Sequence, residues 1–455
     1  MSGSLWLERG FLEPLWRFPQ TTTFFGGLHE SQVAGAIAHV RDAHDKLGLA
    51  DIECLHFFRI VVVPSEPDLQ GRLLPARLFI SAVYDGSLTE FIRRLVQHGG
   101  ACLLQVLSFC EGFQPDSRPA EVHDWLMRHA ESPQTLHVGT MWDELPVIRD
   151  EHRLHVAIAD YVDATHALHA WTNGDIRAIR RHIQEFVRGQ RHLPQQPRPW
   201  RSAWRLFAEW LDKLQTLAAL VAPSAVLACL YVWWFAMNWW HLLWLVPAIA
   251  VVLVAAYMLV VRYHEIVEGD LVVPLDLQRV KTLVQDEDHG IQNQFTMLTP
   301  VRDSFFRRMN LRFILWLANS ISKHWYRQGK LVGIDTIHFA RFHLIDGGRR
   351  MLFMSDFDGG WERYLFDFLG VGSFAVVPIW TNLNGCPKTR FLRFPTRGFA
   401  QRFLSFTRAN QRQTHLWYSA VDHLTVSEIK RNAQLRAGLF GRLGLKATRK
   451  WLKLI

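Results

Sequence analysis

The chain is poor in the residues that mark the commonest chemistries. Its five cysteines (Cys54, Cys102, Cys110, Cys229 and Cys386) are scattered and form no C-x-x-C pair. An odd, dispersed set argues against a disulfide framework and is expected of soluble parts kept in a reducing compartment. There is no H-E-x-x-H and no H-x-H, so dedicated zinc binding has no motif. Walker loops, G-x-G-x-x-G and G-x-S-x-G are also missing, which removes the sequence marks of nucleotide binding and of the serine-hydrolase elbow. The opening M-S-G-S-L-W-L-E-R-G has no basic segment followed by an apolar run, so no cleavable signal peptide is expected.

A second absence is of charge. No Asp, Glu, Lys or Arg occurs between Lys213 and Arg262. As a single helix that stretch would run about 72 Å at about 1.5 Å per residue, far beyond the ~30 Å hydrocarbon core of a bilayer. Two spans, near 216–237 and 241–261, joined by a tight turn at Asn238, resolve the excess. Trp233, Trp234, Trp239, Trp240 and Trp244 surround that turn as an interfacial aromatic belt would. A buried helical hairpin of a soluble protein is the alternative. Arg198, Arg201, Arg205 and Lys213 precede the spans and Arg262 follows them. The positive-inside rule then predicts an inner-membrane, multi-pass protein with both soluble parts in the cytoplasm.

Acid is also absent after Glu428, where Arg442, Lys446, Arg449, Lys450 and Lys453 alternate with apolar residues. Residues 437–455 thus read as a basic amphipathic tail for anionic lipid headgroups. A solvated tail is the plainer reading, and nucleic acid is not an expected partner beside a membrane anchor.

What is present is present twice. Residues 52–59, I-E-C-L-H-F-F-R, recur as 334–341, I-D-T-I-H-F-A-R, and the D-G segment at 78–86 recurs at 351–359. Hydrophobic periodicity predicts a β-α-β-β-α-β order around each set. In the first, strands are expected at 21–27, 52–63, 76–84 and 101–109, with helices at 30–47 and 87–98. In the second, strands are expected at 294–301, 333–345, 350–357 and 373–380, with helices at 304–325 and from 361. A further helix and strand follow each set (119–131 and 134–142; 398–408 and 413–418), with Gln413-Thr414 paralleling Gln134-Thr135. The expected fold is α+β, two tandem ferredoxin-like units of dimeric α/β-barrel type. Its segments are a first unit at 1–190, a Pro/Arg-rich linker at 191–213, a membrane hairpin at 214–262, a second unit at 263–436 and the tail at 437–455.

A tight turn at Asp346-Gly347-Gly348-Arg349 brings His338 opposite Phe357, one residue from Asp358. His338, Arg341 and Asp358 then lie near one end of a sheet, and His56, Arg59 and Asp85 are the first-copy equivalents. Imidazole, guanidinium and carboxylate together suit proton transfer or a polar ligand. Strand alternation puts each His and Arg on opposite faces unless a bulge intervenes. The plain alternative is structural. Ser87-x-x-Glu90 reads as a capping box, and Asp358 as the N-cap of the next helix. Cys386 has no partner that spacing can assign as a nucleophile's base, and Trp417-Tyr418 reads as packing.

Four segments, Q-N-Q-F-T (292–296), G-I-D-T-I-H-F-A-R-F (333–342), S-D-F-D-G-G-W-E-R-Y-L (355–365) and H-L-W-Y-S-A (415–420), resemble those of a group of bacterial membrane-anchored proteins. Tandem ferredoxin-like units are also similar to the dimeric α/β-barrel superfamily, which includes the dye-decolorising peroxidases. That resemblance implies haem and a G-x-x-D-G motif with a distal Asp and Arg. The aligned segments here, Ala82–Gly86 and Ser355–Gly359, lack the first glycine, and no proximal His carries over. Two functions are therefore expected in parallel. One is a peroxidase-like oxidoreductase near the membrane, with Asp358 as proton shuttle, Arg341 as charge stabiliser and His338 as orienting group. The other is a non-catalytic, membrane-tethered ligand-binding or scaffolding protein. A His/Arg-lined pocket favours the first, and packed sheet faces with capped Asp-Gly turns favour the second.

Overall fold

A computed structural model describes residues 19–68, 70–139, 144–166, 176–197, 203–235, 237–269, 274–324, 334–370 and 373–455. The expected element ends at Trp142, Trp325 and Gly333, and the linker residues 198–202, lie outside the described residues. The first part comprises β1 (Gln20–Leu28), α1 (Val33–Asp42), β2 (Leu55–Val63), β3 (Ala76–Tyr84), α2 (Leu88–Ser108), α3 (Pro119–His129), β4 (Ala130–Glu131), β5 (Thr135–Val138), α4 (Leu145–His166) and α5 (Ile176–Gly189). The long helices α6 (Ala203–Trp234) and α7 (Leu242–Val267) follow. The second part comprises α8 (Leu277–Gln285), β6 (Gln292–Pro300), α9 (Phe305–His324), β7 (Ile337–Ile345), β8 (Arg350–Asp358), α10 (Trp361–Leu369), α11 (Ser373–Trp380), α12 (Phe399–Asn410), β9 (Leu416–Ser419), α13 (Val426–Phe440) and α14 (Leu445–Leu452).

The architecture is α+β with two main antiparallel sheets, ordered β9-β2-β3-β1-β4 and β5-β7-β8-β6, and two short two-stranded pairs, Glu66–Pro67 with Leu73–Leu74 and Thr389–Arg390 with Phe394–Pro395. Each part lends a strand to the other's sheet. β5 pairs with β7, Leu136 opposite Arg341, and β9 pairs with β2, Trp417 opposite Arg59. The edges match as well: Phe24 pairs with Ala130 in the first sheet, and Met297 bridges Gln411 in the second. His56 and His338 therefore sit on corresponding strands. The extension aligns two residues away from the sequence match, because His415 and not Gln413 corresponds to Gln134. The Gln134 side chain accepts from the Leu344 amide at 2.7 Å, and His415 Nδ1 accepts from the Val62 amide at 3.1 Å.

One expectation fails at the same place in both parts. Residues 101–109 and 373–380 are helical, not strands. A short apolar run fits either element until its flanks decide. Here Gly100, at φ 45° and ψ −132°, turns the chain within α2. The helix then resumes with Leu103, Val106 and Leu107 buried at helical spacing. The strand beside β1 is instead the short β4, and beside β6 only the bridge at Gln411.

Helices cover the outer face of each sheet, forming two cores around Phe58, Ile80 and Phe91 and around Phe295, Phe353 and Tyr364. The inner faces pack on each other. Phe25, Val61 and Phe79 meet Leu298, Leu352 and Met354, and Phe57 and Val83 meet Phe339 and Val138. The two parts are thus interlocked by exchanged strands and a shared apolar seam.

Two helical stretches, Trp210–Trp234 and Trp239–Val267, are long and apolar enough to cross a membrane. Only 22% and 11% of their most apolar windows are buried within the protein, which is not how core helices are packed. The C-terminal residues 437–455 are not a free amphipathic helix. α13 continues to Phe440, and α14 docks Trp451 among Leu154, Ile183 and Leu435, leaving it 3% exposed. Gly438 permits this approach, since a Cβ there would lie 1.9 Å from Trp451 Cδ1.

Candidate functional site

The H-F-x-R segments both carry a β-bulge. Leu55 pairs with Tyr84 and Phe57 with Val83, so His56 is the extra residue. Ile337 pairs with Phe357 and Phe339 with Asp356, so His338 is the extra residue. The turn at Gly347-Gly348 sets the expected register from Arg350 to Asp356, and the bulge then shifts it. A bulge resets alternation. Each His now faces the opposite sheet together with its Arg: His56 lies 6.0 Å from the Phe339 ring, and His338 lies 5.4 Å from Phe57.

His56 Nε2 donates to Asp85 Oδ1 at 2.9 Å, and Asp85 Oδ2 accepts from the Leu145 amide at 2.7 Å. His338 Nε2 donates to Asp358 Oδ1 at 2.7 Å, and Asp358 Oδ2 accepts from the Val426 amide at 2.7 Å. Each Asp therefore caps the first turn of a distant helix, α4 or α13, and holds a buried imidazole with its other oxygen. The expectation that Asp358 caps the next helix is corrected. The α10 amide at Trp361 is served by Asp288 at 3.1 Å. The expected capping box at Ser87 is half made. Ser87 Oγ accepts from the Glu90 amide at 3.3 Å, but the Glu90 carboxylate is taken by Arg93 and Arg94.

The arginines go elsewhere, so His338, Arg341 and Asp358 do not converge. Arg59 crosses the seam to Asp356, and Arg341 reaches the same carboxylate from the neighbouring strand of its own sheet; both arginines are fully buried. Arg341 Nη2 is 3.2 Å from Asp356 Oδ2, and its Nη1 donates to Thr21 Oγ1 at 3.3 Å. Arg59 ion-pairs with Asp356 Oδ1 and donates to the Phe295 and Ser355 carbonyls at 2.9 and 2.8 Å. Trp417 Nε1 adds a third donor to Asp356 at 3.0 Å. Burial pushes Arg341 down to about 9, opposed by Asp356 and reinforced by Arg59; that leaves it charged at neutral pH.

Asp356 and Trp417 were not singled out from sequence as site residues. The signal was there: the second D-G segment reads D-F-D where the first reads V-Y-D, a carboxylate in place of Val83.

Nothing in this arrangement cradles haem. The imidazoles of His56 and His338 are tied to carboxylates, the guanidiniums are tied to Asp356, and phenylalanines fill the space between the sheets. Among the described residues no group of three or more His, Cys, Asp or Glu could hold a metal ion. Of the other histidines, His137 is lowered by burial to about 3 and His415 to about 4, which keeps both neutral. His152 and His423 are neighbours at 5.2 Å, and His155 bonds Asn432. Cys386 is fully buried, its thiol 3.7 Å from the Pro387 carbonyl. Two concavities lie away from the motifs. One, of about 230 Å³, is lined by Glu265, Glu268, Arg302 and Arg307. The other, of about 350 Å³, is lined by Asp68, Arg72, Asp303 and Arg349.

No family model, no curated protein and no solved structure matches the chain.

Proposed function

We propose that the protein is a non-catalytic, membrane-tethered scaffold or ligand-binding body, built as a pseudo-dimer of two ferredoxin-like units. One observation carries this reading. The repeated histidines and arginines are all spent on buried structural partners: His56 and His338 on Asp85 and Asp358, Arg59 and Arg341 on Asp356. A general acid or charge stabiliser has to reach a reacting group, and these residues reach each other. The strand orders β4-β1-β3-β2 and β6-β8-β7, with a donated strand completing each sheet, support the ferredoxin-like and duplicated part of the reading.

The membrane hairpin is the tether in this proposal. Cations flank the spans and the connecting turn carries none, which supports an inner-membrane protein with both soluble parts cytoplasmic. The peroxidase-like alternative has a direct test. Protein purified in detergent after growth with iron and a haem precursor is expected to show no Soret absorption. A stoichiometric Soret band would overturn the non-catalytic reading and restore the peroxidase-like one.

A further inference from the structure

The foot of the second span is built into the soluble body. Tyr257 of α7 donates to Asn310 Oδ1 of α9 at 2.8 Å, and its ring lies 6.3 Å from Phe313. Phe313 in turn stacks on Trp316 at 6.0 Å. One turn beyond Tyr257, Val261 is fully buried in the second core, and His264 stacks on Phe306 at 4.4 Å. The part of α7 free of the body thus ends at Tyr257. From Trp239 to Tyr257 the chain rises about 27 Å at about 1.5 Å per residue, close to the ~30 Å of a hydrocarbon core. No slack remains between body and bilayer.

The body presents an unusual surface at that level. Phe305, Met309, Phe313 and Trp316 form an exposed stripe along α9, with Phe305 76% exposed. Beyond it lies the loop Lys388–Arg397, K-T-R-F-L-R-F-P-T-R, within a stretch free of acid from Asp367 to Asp422. Phe391 and Phe394 are exposed at its tip, Phe394 by 54%, among Arg390, Arg393 and Arg397. The loop is held in place by the span itself. Phe391 and Leu392 are both in the left-handed region, at φ 54° and 61°, which side-chain-bearing residues adopt only under constraint. They form the turn of a short hairpin, Arg390 opposite Phe394, and Glu265 of α7 clamps that turn, its carboxylate accepting from the Phe391 and Leu392 amides at 2.8 and 2.7 Å. Arg262 lies 5.9 Å from the Phe391 ring and 3.2 Å from Glu265.

We infer that this face, the α9 stripe together with the 388–397 loop, is seated in the interface of the same bilayer that the hairpin crosses. Aromatic side chains favour both water–hydrocarbon boundaries. Tyr257, Phe313 and Trp316 form the inner belt, matching the tryptophans at the hairpin turn. Glu265 lies about two turns past Tyr257, so the loop it clamps falls at headgroup depth, where arginines meet lipid phosphate. Phe313 of the stripe lies against Tyr257 at the end of the free part of the span, so lipid that covers the span there meets the stripe as well. The C-terminal tail does not compete for this role, because its Trp451 is spent on the α4/α5 layer.

The inference rests on the membrane reading, and one experiment separates the two. The full chain is reconstituted in phosphatidylcholine/phosphatidylglycerol vesicles with the photo-crosslinker p-benzoylphenylalanine placed singly at Val251, Phe313, Phe394 or Arg449. Lipid adducts are scored by mass spectrometry. Adducts at positions 251, 313 and 394, several-fold above those at 449, are expected. Adducts at 251 without adducts at both 313 and 394 would overturn the inference while keeping the spans. No adduct at 251 would overturn the membrane reading itself. The electrostatic part has its own arm. The yield at 394 should fall when Arg390→Gln and Arg393→Gln are introduced and when phosphatidylcholine is the sole lipid, and a yield indifferent to both would overturn it.

Discussion

The two halves of the seam agree in their His–Asp pairs and arginines and differ around the carboxylate that serves those arginines. His56 with Asp85 and His338 with Asp358 have the same bonds, the same bulge and the same capped helix. Arg59 and Arg341 correspond too. Yet Val83 and Leu136 stand on one side where Asp356 and Trp417 stand on the other. Arg59 and Arg341 meet in the seam, and one carboxylate serves both. The symmetric positions maintain the strand ends and helix starts. Asp356 neutralises charge that the two arginines place in the seam.

That comparison breaks most visibly at Asp356. Removing one member of a buried ion pair leaves the others uncompensated and typically costs about 3–5 kcal/mol. Asp356→Val, which copies Val83 into the second half, is expected to lose that much in urea unfolding of the detergent-solubilised chain. Adding Arg59→Met and Arg341→Met should recover most of it, since apolar replacement of a buried ionic group is often neutral. A full loss that persists in the triple variant would show that the seam needs the polar group for another reason.

His343 sharpens the same contrast. It corresponds to Val61, bonds Thr23 Oγ1 at 3.0 Å, and is pushed down to about 3 by burial, with Arg341 adding to the effect. Below its ordinary value of 6.5 the unfolded chain takes up a proton that the folded chain refuses. Stability is therefore full above about pH 6.5 and is lost as pH falls towards 3. His343→Val should flatten the stability–pH curve between pH 6.5 and 4.5 by on the order of 2 kcal/mol relative to the parent chain. Thr23 keeps its bond to Ser81 Oγ at 3.0 Å, so the variant isolates the titration. Curves of equal slope would mean that His343 protonates freely in the folded state.

Much of this organisation was readable in the residues, and the failures have physical causes. Strands 76–84 and 350–357 alternate and end in turn residues, so their limits are nearly those observed. Residues 101–109 and 373–380 are short apolar runs whose preceding glycines, Gly99-Gly100 and Gly370 with Gly372, suit a turn into either a strand or a helix, and both runs become helical. The His–Asp bonds follow from the repeat, but the second bond of each Asp goes to Leu145 or Val426, 60 and 68 residues away, which no local pattern encodes. The tail shows the same limit. Its basic amphipathic pattern is real, but amphipathicity does not say whether protein or lipid covers the apolar side.

The smallest expected effect tests whether the symmetric pair is only structural. In Asp85→Asn and Asp358→Asn the amide oxygen can keep the bond from Leu145 or Val426. The amide NH2 can donate to the imidazole once its proton moves to Nδ1, a tautomer open to any neutral histidine. What is lost is the attraction between a carboxylate and the helix N-terminus, worth about 0.3–1 kcal/mol. Both substitutions should therefore lower stability by the same small amount, measured as paired urea midpoints. The equality matters more than the size, because the bonds correspond in the two halves: 2.9 and 2.7 Å to the imidazole, and 2.7 Å to each helix amide. A cost at Asp358 well above that at Asp85, or a phenotype in cells from Asp358→Asn alone with the fold intact, would show that the second His–Asp pair does something the first does not.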